Sequence, residues 1–165
     1  MKAFCVILLL VLTSATPRPG RQAAGTLGKL KKGENVTIYF SSYGCFSQTG
    51  RKMVLVNTGD GLRVSLYDGK VSYPTGGGRP SLEEGQLLKE RIISAREIGI
   101  FNVFEKEVAR RRGNGCTTRE TYTFVSDYST FSVTDGSCSW FGFNQLTQDL
   151  FGEVPAGGRK VIIAD

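Results

Sequence analysis

The chain of 165 residues carries 21 Lys and Arg against 15 Asp and Glu and contains no histidine. Six of those cations, Lys2, Arg18, Arg21, Lys29, Lys31 and Lys32, precede Glu34, the first acid, so fifteen cations balance fifteen acids from there on. The basic excess is therefore an end effect and not the footprint of a nucleic-acid-binding domain, and the missing imidazole excludes Ser-His-Asp and Cys-His catalysis and histidine metal sites.

Residues 1–15 read as a secretory signal. Lys2 supplies the cation, Ala3 to Leu12 the apolar run, and Thr13-Ser14-Ala15 a small-residue cleavage site near Ala15. The run is about half of what spans a bilayer, so no transmembrane anchor is expected and the mature chain is placed in a secreted or periplasmic setting. Residues 16–33 form a basic tail rich in Gly, Ala and Pro, whose composition predicts disorder and suits adhesion to an anionic surface. The folded domain is expected to span residues 34–152, a length sufficient for one hydrophobic core.

Val36, Ile38 and Phe40 alternate with Thr37, Tyr39 and Ser41, the pattern of a half-buried strand running to Tyr43. Lys52 to Asn57 and Leu62 to Tyr67 follow as strands joined by the hairpin turn Thr58-Gly59-Asp60-Gly61. Asp68-Gly69 predicts another turn, into a short strand from Val71 to Tyr73. Pro74 to Pro80 is a loop; its three glycines lack the Lys-Ser/Thr that a phosphate cradle needs.

Ser81 and Glu84 match a capping box, and Leu88, Ile92 and Ala95 share one side of a helix. A second stripe, Ile100, Phe104 and Val108, is rotated from the first. The reading is a kinked helix or helix pair from Ser81 to about Arg112, ended by Gly113-Asn114-Gly115. Arg110-Arg111-Arg112 complements the dipole at that end, or grips an acidic partner.

Thr117 to Val125 and Thr130 to Thr134 predict a second hairpin around Ser126 to Ser129, with a register that favours a one-residue offset. Asn144 to Phe151 reads as a short C-terminal helix stopped by Gly152. Residues 153–165, with Val161-Ile162-Ile163, read as an edge strand or a tail. The predicted class is α+β: an antiparallel sheet, from a meander and the later hairpin, packed against the helices.

Three cysteines remain after cleavage. Cys116 and Cys138 flank the second hairpin at equal distance from Asp127, which predicts their disulfide, leaving Cys45 as a buried, poorly reactive free thiol. The rival is a bond from Cys45 to one of the other two. Trp140, Phe141 and Phe143, with Arg110, Arg111 and Arg112, are the candidate binding surface; Trp140 reads equally as core. The acids Asp60, Asp68, Asp127 and Asp135 fall in turns, and Glu83, Glu84, Glu90 and Glu97 on the expected helix face, so no catalytic pair stands out. Asn35-Val36-Thr37 is a glycosylation sequon, relevant in a eukaryotic host. No cofactor or metal is expected. The leading expectation is a non-enzymatic extracytoplasmic binding protein with a protein or polysaccharide partner and without nucleic acid. The alternatives are a carboxylate-dependent hydrolase of an extracellular polymer, and a protein adhering to anionic surfaces through its tail.

Overall fold

The computed structural model describes residues 30–45, 48–76, 78–94, 97–111 and 113–152. The expected signal, residues 16–29 of the tail, Arg112 and the stretch 153–165 lie outside them.

Six antiparallel strands form one open sheet: β1 (Asn35–Tyr43), β2 (Gln48–Asn57), β3 (Leu62–Ser72), β4 (Ser81–Ile93), β5 (Arg119–Ser126) and β6 (Thr130–Asp135). Their order is β4-β3-β2-β1-β5-β6. Helices α1 (Ile98–Arg110) and α2 (Gly142–Phe151) complete the α+β arrangement. The alternation in β1 sends Val36, Ile38 and Phe40 to one face, where they meet Met53 and Leu55 of β2 and Tyr122 and Phe124 of β5. On that face Phe101, Phe104 and Val108 of α1 and Phe143, Leu146 and Leu150 of α2 close a single core. Residues 30–33 are tied to this sheet: Asn57 Nδ2 donates to the Leu30 carbonyl at 2.7 Å, and the Gly33 N–H donates to Asn57 O at 2.8 Å.

The first half of the expected Ser81–Arg112 helix is β4. Two register shifts interrupt its pairing with β3, between Leu66 and Tyr67 and between Asp68 and Lys70. Each bulge shifts the period-2 alternation by one, which turns a strand's apolar spacing into apparent helical spacing. Leu88 packs on the core while Ile92 stands 63% exposed, so the supposed stripe lies on two faces. Glu84 is not a helix N3 residue but sits at φ 54 within the strand. The Ser-x-x-Glu signature that opens the real helix is the second one: the Glu97 carboxylate accepts from the Ser94 N–H at 2.8 Å and the Ser94 hydroxyl at 2.9 Å. Arg91, on the core face of β4, bonds both Glu97 and the Leu150 carbonyl, fastening the start of α1 to the end of α2.

Asp68-Gly69 is likewise not a turn, since β3 runs through it to Ser72. The strand folds there instead. A Cβ on Gly50 would lie 2.6 Å from the Gly69 carbonyl oxygen and 2.7 Å from Val71 N, and one on Gly69 would lie 2.6 Å from Glu83 O. Only a glycine pair permits the distal β3–β4 ribbon to cross the outer face so closely. Tyr73 Oη, 3.4 Å from Ser41 Oγ, and Arg79 Nη2, donating to Ser126 O at 3.2 Å, anchor the segment beyond the fold.

Candidate functional site

The β1–β5–β6 register places Ser42, Glu120 and Asp135 in one row on the helix-covered face, one step beyond the row Phe40, Tyr122 and Val133. The core changes there from aromatic to acidic. Glu120 and Asp135 are direct cross-strand partners. The fully buried Tyr122 donates its hydroxyl to Glu120 Oε2. Burial holds the Glu120 carboxyl above the usual carboxylate range, and the charge of Asp135 adds to the shift against the Tyr122 hydrogen bond. The Tyr122 phenol is pushed far up, first by burial and then by its bond to Glu120. Asp135 is only 3% exposed and accepts from the Ser137 N–H at 3.1 Å and the Ser137 hydroxyl at 2.8 Å.

An aromatic stack packs against the neighbouring row, on Tyr122 and Phe40. The Trp140 ring lies 5.4 Å from Tyr122 and 5.8 Å from Phe104, with the Arg111 guanidinium 4.8 Å from its centroid. Trp140 fits because the next helix begins with Gly142: a Cβ there would sit 2.0 Å from the indole. Phe143 stacks on Phe40 at 4.5 Å.

The Cys116–Cys138 disulfide ties this end, with Cα atoms 5.7 Å apart. The Cys116 N–H donates to Gly136 O, and the Gly136 N–H to Gly113 O, lacing the segment after α1 to the end of β6. The expected one-residue offset is present: Tyr122 faces Val133 and Phe124 faces Phe131, the register that puts both strands' apolar residues on the core side. Cys138 takes up the remainder at φ 53.

The candidate surface residues separate. Phe143 is core, and Trp140 is packed against it. Phe141 alone of the three aromatics is open to solvent, at 62%. Arg110 and Arg111 each pair with Glu107 at 3.4 Å, and Arg111 also covers Trp140; Arg112 lies outside the described residues. Cys45 is free, and it is exposed where the sequence predicted burial. Its position explains this: Cys45 lies past Tyr43, the last paired residue of β1, and so outside the sheet. Tyr43 itself is 66% exposed.

Sequence reasoning passed over Glu120 and set Asp135 in a turn. The available signal was period 2: counting back from Phe124 and Tyr122 sends Glu120 to the core side. Chemically the pair is asymmetric. Asp135 is buried and held by Ser137, whereas Glu120 is partly open, its carboxyl held above the usual range by burial. At the opposite end of the sheet a cavity of about 290 Å³ between the β2–β3 turn and the start of α1 contains one ionisable group, Asp60. Among the described residues, no group of three or more Cys, Asp or Glu is arranged to hold a metal ion, and no helix is long and apolar enough to cross a membrane. No protein-family model matches this chain, and no curated protein matches it.

Proposed function

We propose that this chain is a secreted or periplasmic binding module that engages a protein or polysaccharide through the disulfide-tied end of its sheet. The observation that carries the reading is the exposure of two large aromatics at that end, Tyr43 on the outer face of β1 and Phe141 next to Trp140 ahead of α2. Rigid, exposed aromatics supply contact area with little ordering entropy, which makes them suitable anchors for a partner. A disulfide suits an oxidising compartment, and the apolar run ahead of Ala15 suits export. Affinity capture from the host's extracytoplasmic fraction tests the reading. The wild-type domain retains a partner that the Tyr43→Ser/Phe141→Ser variant loses. Tyr128→Ser, in the β5–β6 turn at the far end, retains it. Equal retention by all three refutes the assignment.

One observation favours a second reading, a carboxylate-dependent hydrolase of an extracellular polymer: Glu120 is a raised carboxyl facing a second acid. Both acids must reach substrate in that chemistry, and Asp135 is buried. Polymer hydrolysis abolished by Glu120→Gln supports it; hydrolysis unchanged by that substitution removes it.

A further inference from the structure

The two edges of the sheet are built differently. β4 is a 13-residue edge with two register shifts, and it carries Glu83, Glu84, Lys89, Glu90 and Arg91. Bulges and charges of this kind stop an edge strand from pairing with another chain. β6 has no bulge, and its one charge, Asp135, is at its last residue. From Thr130 to Thr134 it contains no charge, proline or glycine, and its pairing with β5 has no shift.

The hydrogen-bond phase of the hairpin fixes which backbone groups of β6 face outward. The Ser126 N–H donates to Ser129 O at 2.8 Å, so Ser126 and Ser129 form a hydrogen-bonded pair. Antiparallel pairs alternate, so Phe131, Val133 and Asp135 direct their backbone groups at β5. Thr130, Ser132 and Thr134 direct both N–H and C=O away from the sheet.

We infer that this edge binds a second copy of the same chain, antiparallel, across a two-fold axis through Ser132. The strand is self-complementary in that register. Ser132 pairs with its own counterpart and Thr130 with Thr134 of the second copy, each as a pair exchanging two backbone hydrogen bonds. Phe131 then faces Val133 of the second copy in the closely spaced, non-hydrogen-bonded position. Both are only partly buried against the core, and pairing covers the remainder. The exposed Thr130, Ser132 and Thr134 side chains share the outer face, so no charged side chain enters the seam. The first acid beyond it, Asp135, is buried and bonded to Ser137. A strand this short makes a small interface, and so a weak, reversible dimer.

Sedimentation velocity of the mature full-length chain over a concentration series tests this inference. The wild type shows a reversible monomer–dimer equilibrium. Ser132→Pro removes an outward N–H and keeps the backbone hydrogen bonds to β5, losing only the Ser132–Thr123 hydroxyl contact, and weakens dimerisation by about tenfold or more. Ser132→Lys sets two cations side by side on the axis and weakens it too, the effect shrinking as salt rises. Circular dichroism confirms that both variants fold. A chain that stays monomeric throughout, or a dimer indifferent to both substitutions, overturns the inference. So does a monomer that dimerises only when residues 153–165 are deleted, which assigns the edge to the chain's own tail.

Discussion

Replacing Cys116 and Cys138 together by serine probes what holds the acidic row in place. The sequence separation of 22 gives, by the loop-entropy relation, about 3.4 kcal/mol at 25 °C. Part of this is returned. Cys138 sits at φ 53, a left-handed conformation that costs a non-glycine residue about 1 kcal/mol, and without the crosslink the segment is free to relax. The net loss is therefore about 2–3 kcal/mol. An unfolding entropy of roughly 2.1 cal/mol/K per residue over about 120 ordered residues converts that into a fall of about 8–12 °C in Tm. Thermal melts followed by circular dichroism read it directly, with Cys45→Ser as the control. Cys45 is exposed and lies outside the strands, so its substitution should stay within about 0.5 kcal/mol. The reasoning fails if the double variant loses less than about 1 kcal/mol, or if Cys45→Ser loses as much as the pair.

The remaining predictions concern Glu120 and the folded-over ribbon. Because burial raises the Glu120 carboxyl, the folded state binds its proton more tightly than the unfolded chain does, and stability falls as pH rises through the unfolded value of about 4.3 toward the folded one. Glu120→Gln keeps an acceptor for the Tyr122 hydroxyl and removes this loss. In urea titrations the variant should match the wild type at low pH and exceed it above that window; a variant weaker than the wild type at neutral pH refutes the assignment. Gly50→Ala drives a Cβ against the Gly69 carbonyl and Val71 N and should cost about 1–3 kcal/mol by chemical denaturation. A neutral result means that the ribbon does not press on β2 as described.

Local rules carried the meander because each signal there agrees with its neighbours. Val36 to Phe40 alternates cleanly, and Thr58 to Gly61 turns as a hairpin requires. The same rules misplaced β4 because bulges erased its alternation, and because the Ser-x-x-Glu pattern occurs at both Ser81 and Ser94 with only the second at a helix start. Asp68-Gly69 carries turn chemistry, yet its glycine is needed for close approach to Gly50, a tertiary demand that no local window displays. The hairpin offset was legible in the apolar faces of β5 and β6, and the Cys116–Cys138 pairing in the equal distance of both cysteines from Asp127. The Glu120–Asp135 row was not, since it exists only once that register is set and β5 lies beside β1. Phe141 and Phe143 are separated by a single residue; which one is core depends on where α2 begins, two residues before the Asn144 cap that the sequence suggests.

Hydroxyl-radical footprinting of the domain, alone and with its captured partner, tests whether the disulfide-tied end is the binding end. Oxidation of Tyr43 and Phe141 should fall in the complex while that of Tyr128, 80% exposed at the opposite end, is unchanged. Protection of Tyr128 with Tyr43 and Phe141 still fully reactive would contradict this assignment.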